Sequence, residues 1–209
     1  GDCCCPSGLE AVVNTLPRVV LASQSPRRLA LLRSIGIEPL VQPAFLDEQM
    51  LAGEDAWQLV RRLAHGKVAA VMARGLDVSP ALLLGADTVV VLDGAVLGKP
   101  GNTDAALDML QRLSGREHRV VTGLALMCLP DGVLDVSLAE TVVRFRALDQ
   151  EEICAYVDRE AVTDVAGAYR IQDLGALLVE EIRGSWSNVV GLPLELFSAR
   201  VRSLGFSLL

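Results

Sequence analysis

This sequence predicts an α/β fold built on a mixed sheet, and three observations predict it. Apolar runs of strand length, such as RVVLA and LLLGADTVVVL, alternate with stretches like DAWQLVRRLAHGKVAAVMAR whose apolar residues recur at helical spacing. Asp-Gly stands between apolar runs twice, at Asp93-Gly94 and Asp131-Gly132, which marks antiparallel hairpins. A chain of 209 residues that is 51% hydrophobic can bury one substantial core. The expected organisation is a disordered, cysteine-containing tail over residues 1–17 and a single domain over 18–209.

The elements follow in order. RVVLA is a buried strand, and Ser25-Pro26 then opens a helix, with a hydroxyl to cap free amides and a ring whose missing N–H costs nothing in the first turn. That helix runs to about Ile35 and stops at Gly36. EPLVQPAFLDEQ is irregular and extended, and carries Asp47 and Glu48. From Asp55 to Arg74, Trp57, Val60, Ala64, Val68 and Val71 share one helical stripe, with Lys67 at its edge. In ALLLGADTVVVLDGAVLGKP a two-residue turn at Asp93-Gly94 sets Leu92 opposite Ala95, Val90 opposite Leu97 and Thr88 opposite Lys99, which leaves Asp87 beside Lys99. A short helix from Asn102 or Thr103 to Leu113 ends at Gly115, and the second hairpin fills EHRVV to FRAL. Asp149 starts a helix with Glu152 as its capping acid. The Gly-rich stretch from Val165 holds one strand, and Pro193 opens the last helix.

Composition removes several function classes. The apolar runs are broken by Gly, Asp or Lys well before the roughly 18–20 residues needed to span a bilayer, and GDCCCPSGLEAVV lacks the flank and apolar stretch of a signal peptide. The expected setting is cytoplasmic, with no membrane partner. A net charge of −7 argues against general attraction to nucleic acid, so any phosphate binding needs a local cluster of cations. The five cysteines form no disulfide framework, because Cys3, Cys4 and Cys5 are consecutive and Cys128 and Cys154 stand alone in a strand and a helix.

Three positions break local rules. Arg27 and Arg28 sit in a first helical turn, where the macrodipole favours anions by about 0.3–1 kcal/mol per charge. After a strand and a short turn, they and the free backbone N–H groups form an anion site that a polyphosphate would fill; otherwise both lean into water. Asp87 lies inside an apolar strand and cannot be buried unpaired. Either Lys99 supplies a structural ion pair, or Asp87 holds Mg²⁺ or orients a water, with Glu48 as a second oxygen ligand. Lys67 either reaches into a site or extends along its stripe to water. His65 and His118 have no partners at ligand spacing and are read as structural.

Taken in order, LASQSPRRLALL, GADTVVVLDGAVLGKP, LSGREHRVVTG and AGAYRIQDLGALLVEEIRGSWSNVVGLPL resemble the Maf family of nucleotide pyrophosphatases from about Val19 to Leu194. The resemblance implies a two-lobed α/β fold with a central cleft, similar to inosine triphosphate pyrophosphatases. It implies metal-dependent hydrolysis of a nucleoside triphosphate to monophosphate and pyrophosphate, with Mg²⁺ or Mn²⁺ as cofactor. By motif match Asp87 is the catalytic acid and a metal ligand with Glu48, while Ser23, Arg27, Arg28, Lys67 and Lys99 complete the phosphate shell. GADTVV and GSWSNVVGLPL are similar to the dTTP/UTP branch, in which Arg27, Thr88 and Gln172 are associated with substrate choice. The alternatives are a 7-methyl-GTP pyrophosphatase and a nucleotide-binding regulator of cell division with incidental hydrolysis. Val165, Arg170, Asp173 and Trp186 depart from the branch, which has Lys, Gly, Gly and Tyr there. A homodimer is the protein partner left open.

Overall fold

The computed structural model describes residues 14–209. Its centre is a seven-stranded mixed sheet formed by β2 (Arg18–Leu21), β3 (Leu40–Val41), β4 (Ala81–Leu92), β5 (Ala95–Leu97), β6 (Glu117–Leu129), β7 (Val133–Phe145) and β8 (Val179–Arg183). The order is β3-β2-β4-β6-β7-β8. β2 is parallel to β3 and β4, the later pairs are antiparallel, and β5 adds to β4. Residues 1–13, with the cysteine triplet, lie outside the described part. Of the segment 1–17 expected as a tail, residues 14–17 are described, and there β1 (Asn14–Thr15) pairs in parallel with β9 (Phe206–Ser207).

β4 is buried on both faces, so it reads as an almost unbroken apolar run. Its even-numbered residues Leu82, Leu84, Ala86, Val90 and Leu92 enter the main core, beneath α1 (Pro26–Ser34), α3 (Thr103–Leu113), α4 (Gln150–Arg159) and α6 (Leu194–Ser203). Ala81, Leu83, Val89 and Val91 face the other way, against α2 (Ala56–Ala73). Ser25, Asn102 and Asp149 start their helices as expected, and with Asp55, where the α2 stripe was expected to begin, each accepts the backbone N–H three residues on. A five-residue helix, α5 (Trp186–Val190), was not foreseen within the Gly-rich stretch.

The edge of β4 is shared unequally. Along one side β6 pairs with it from Ala81 to Val91. Along the other, β2 pairs with Ala81–Leu84, and β5 resumes at Val90. Residues 85–89 therefore have no strand on that side, and a cleft opens through the sheet there. The Asp93-Gly94 turn gives the expected pairs Leu92–Ala95 and Val90–Leu97. The expected facing of Thr88 and Lys99 does not occur, because β5 ends at Leu97. The Gly98 carbonyl accepts the N–H of Gly167 (3.1 Å), and the chain leaves β4 at that point.

Candidate active site

Because side chains alternate along a strand, the consecutive residues Asp87 and Thr88 face opposite sides of the sheet. The gap beside them lets both reach one cleft of about 730 Å³. On the first side Lys67 comes down from α2. Its Nζ lies 2.6 Å from Asp87 Oδ1 and 2.9 Å from Glu48 Oε1, and it also donates to the carbonyl of Ala86 (3.4 Å) on the uncovered edge. The Asp87–Lys99 pairing expected from the hairpin is thus replaced by Asp87–Lys67. Lys99 instead pairs with the exposed Asp164 at 3.0 Å, at the rim. Lys67 does not run out to water; it is 6% exposed.

Two glycines set that geometry. A Cβ on Gly85 would lie 2.5 Å from the carbonyl oxygen of Ala64, and one on Gly123 would lie 2.2 Å from that of Val60. With no Cβ at either position, α2 rests directly on β4 and β6, and Lys67 reaches the strand backbone. A lone glycine inside an apolar strand pattern signals such close approach, and this was the sequence signal left unread.

On the second side Arg28 is buried and rigidly held. Its Nε donates to the carbonyl of Gly191 (2.7 Å), Nη1 to Ser23 Oγ (3.2 Å) and Nη2 to Thr88 Oγ1 (3.2 Å). Thr88 also shares a hydrogen bond with Thr122 at 2.9 Å. The SWSN stretch supplies the backing: Ser185 caps α5, and Asn188 Nδ2 donates to the Val120 carbonyl (3.1 Å) and to Thr141 Oγ1 (2.9 Å), which fixes the turn that presents Gly191. Arg27, half-buried, makes no hydrogen bond or ion pair with the described residues and faces the cleft with Gln172. The two first-turn arginines therefore divide, one braced and one available.

Every residue expected at the site lines this cleft: Ser23, Arg27, Arg28, Glu48, Lys67, Asp87, Thr88, Lys99 and Gln172. Arg170, Asp164 and the carbonyl side of Gly191 were not singled out for it, though they line it too. Burial pulls both guanidinium groups below their ordinary pKa, in Arg28 against the pull of Asp87 and in Arg27 with the repulsion of Arg170 added, and both stay charged. Burial alone would raise the Glu48 carboxyl. The hydrogen bond and charge of Lys67, with Lys99 and Arg28 farther off, outweigh it and hold Glu48 below the usual carboxylate value.

Among the described residues no group of three or more His, Cys, Asp or Glu is placed to hold a metal alone. The donors here still fit a hard cation. Glu48 and Asp87 offer carboxylate oxygens within reach of one Nζ, and Mg²⁺ is commonly held by one or two carboxylates with substrate phosphates completing the shell. His118, expected to be structural, lies away from this shell, packed edge-on against Phe145 and Tyr169.

A family model described as "Maf-like protein" matches residues 18–204. The chain is 43% identical to a dTTP/UTP pyrophosphatase of Syntrophus aciditrophicus, covering 90% of each chain. It is 48% identical to one of Moorella thermoacetica (86% of this chain, 91% of the relative) and 46% identical to one of Anaeromyxobacter dehalogenans (92% and 96%). Among solved structures, a dITP/XTP pyrophosphatase of Mycobacterium abscessus aligns with 16% identity and a TM-score of 0.38, over 61% of this chain and 74% of that one. With the family model matching residues 18–204, and relatives above 40% identity over 86–90% of this chain, the chain belongs to the Maf family.

Proposed function

We propose that this chain is a metal-dependent nucleoside triphosphate pyrophosphatase that hydrolyses dTTP and UTP to the monophosphate and pyrophosphate. The observation that carries the reading is the array Glu48–Lys67–Asp87 at the open edge of β4, in a cleft also faced by Arg27, Arg28 and Lys99. A nucleoside triphosphate brings several negative charges into that cleft. Lys67 and the guanidinium groups meet them, and the macrodipole conflict at the start of α1 becomes an anion site. Glu48 and Asp87 would hold Mg²⁺ or Mn²⁺, which supplies neutralisation of phosphate charge and a more acidic water.

Asp87, fixed by the strand backbone, accepts the proton of the attacking water. Oxygen bonds to the α-phosphorus as the bond to the α–β bridging oxygen breaks, and pyrophosphate leaves with that electron pair. The preorganised cations stabilise the charge that develops on the phosphates. Gln172 supports the choice of base: its half-buried amide makes no hydrogen bond with the described residues, and it can pair with a pyrimidine carbonyl and N3–H. The curated relatives carry the same dTTP/UTP assignment. Because the whole chain carries a net charge of −7 even with the cleft's cations included, free nucleotide and not nucleic acid is the partner we infer, and the cytoplasm is the compartment we expect for it.

A nucleotide panel with separate detection of phosphate and pyrophosphate tests the reading. In Mg²⁺ or Mn²⁺ we expect dTMP or UMP plus pyrophosphate, with little turnover of ATP or GTP. Orthophosphate as first product, preference for 7-methyl-GTP, or tight binding with negligible turnover would each overturn it.

A further inference from the structure

Glu48 is the least anchored member of the array. It lies between Val41 and Asp55 in a segment with no helix and no ladder, its side chain is 46% exposed, and its tie into the cleft is the ion pair with Lys67. A polyphosphate competes for that same ammonium. A carboxylate that must stay aimed at the cleft while Lys67 turns to phosphate needs a second support.

The structure supplies one on α2 itself. Arg62, five positions before Lys67, sends Nε to Glu54 Oε1 (2.7 Å) and Nη2 to Glu54 Oε2 (2.7 Å), and Nη2 also donates to the carbonyl of Gln49 (2.9 Å). Glu54 is itself fixed, since its Oε2 accepts the Leu51 N–H (3.0 Å) and its side chain is only 8% exposed. This bidentate pairing holds the Glu54 carboxyl far down, to about 2. On the other side of Glu48, Leu46 packs against the buried cluster to which α2 contributes Leu59, Val60 and Leu63, and its Cδ1 would lie 3.2 Å from a Cβ on Gly66. Glu48 is therefore spanned by a polar clamp that begins at Gln49 and an apolar peg at Leu46, both seated on the helix that carries Lys67. Arg62 does not line the cleft, so it touches the reaction only through the segment it grips and through its charge on Asp87, which Arg62→Lys keeps.

We propose that Arg62 is a positioning residue: by gripping Glu54 and the Gln49 carbonyl it keeps the Glu48 carboxylate at the cleft when Lys67 is drawn to the substrate's phosphates. The proposal rests on the reading of Glu48 and Asp87 as oxygen donors to a divalent metal. Outer partners that orient ligands in this way are worth about 10- to 100-fold in metal affinity or activity.

The test uses the full chain and its Arg62→Ala, Arg62→Lys, Glu48→Gln and Arg62→Ala/Glu48→Gln variants, with three readouts. Hydrogen exchange without nucleotide should rise in Arg62→Ala over residues 44–54 and stay at the wild-type level in α3 and α4. Mn²⁺ affinity, measured by electron paramagnetic resonance with a non-hydrolysable α,β-imido dUTP, should weaken about 10- to 100-fold in Arg62→Ala. Less weakening is expected in Arg62→Lys, whose single ammonium cannot make all three contacts. The loss in kcat should exceed any change in KM, and Arg62→Ala should cost little more once Glu48→Gln is present, because residues acting as a unit are not additive. Unchanged exchange and Mn²⁺ affinity in Arg62→Ala, or full additivity in the double variant, would overturn the proposal. If Glu48→Gln itself binds Mn²⁺ like wild type, the metal reading has failed, and the exchange pattern still decides whether Arg62 grips the segment.

Discussion

Lys67 is the residue on which the site turns, because one ammonium answers two carboxylates whose own needs differ. Asp87 is nearly buried and would be left in the sheet without a contacting cation if Lys67 were removed, whereas Glu48 can turn to water. Breaking a buried pair from one side is costly because the surviving charge stays behind. The two obvious substitutions should therefore behave differently. Asp87→Asn keeps Lys67 paired with Glu48, so its thermal midpoint should stay near wild type while kcat falls about 10²- to 10⁴-fold, the range for a positioned base. Lys67→Met strands Asp87 and should lose roughly 3 kcal/mol, the lower end for buried pairs. At this chain length that is a drop on the order of 10 °C in Tm. Thermal melts beside turnover measurements decide it: equal midpoints for the two variants, or near-normal kcat in Asp87→Asn, would remove Asp87 and Lys67 from these roles.

At the scale of elements, the placing of Lys67 depends on how closely α2 lies on the sheet. A Cβ on Gly123 would lie 2.2 Å from the Val60 carbonyl oxygen and 3.0 Å from the Arg61 nitrogen, both backbone atoms that can yield only if the helix lifts. We expect Gly123→Ala to cost about 1–3 kcal/mol through overpacking and to lower kcat by up to about 100-fold by misplacing Lys67. Gly98→Ala, whose Cβ would meet nothing within 4 Å, serves as the control and should keep the wild-type Tm. A Gly123→Ala protein with wild-type Tm and kcat would show that contact with the sheet does not position the lysine. The same packing explains what could and could not be read from the sequence. Caps at Ser25, Asp55, Asn102 and Asp149, and the register beside Asp93-Gly94, are local and were legible. Where β5 ends was not, because Gly98 is drawn off by Gly167, a residue distant in sequence. The stripe on α2 placed Lys67 at an edge, and the stripe alone could not show that this edge meets a gap in the ladder. The motif match named the residues of the cleft, while the exchange of Lys99 for Lys67 as the partner of Asp87 needed the tertiary structure.

For the whole molecule, stability against pH should carry the mark of one buried side chain that takes no part in the cleft chemistry. His118 is 2% exposed in the main core, with Nε2 hydrogen-bonded to the Tyr169 hydroxyl at 2.8 Å and Nδ1 without a partner among the described residues. Protonation would place an N–H on both ring nitrogens, one of them facing no acceptor, inside an edge-to-face cluster with Phe145 and Tyr169. Burial therefore pushes the imidazole from its ordinary 6.5 down to about 4. In the window between those values the unfolded chain binds the proton and the folded chain does not, so stability rises with pH there. The fold has its full stability with respect to this group above about pH 6.5 and loses on the order of 3 kcal/mol by pH 4. The carboxylates of Glu48, Glu54 and Glu152, all held below the usual value of 4.5, add an acid loss of the same sign at lower pH, which leaves the upper part of the window to His118. Urea titrations at steps from pH 5 to 7.5 should show unfolding free energy climbing toward neutrality in the wild type and flattening in His118→Gln, whose amide can still meet the Tyr169 hydroxyl. A slope that persists unchanged in His118→Gln would place the titrating group elsewhere in the molecule.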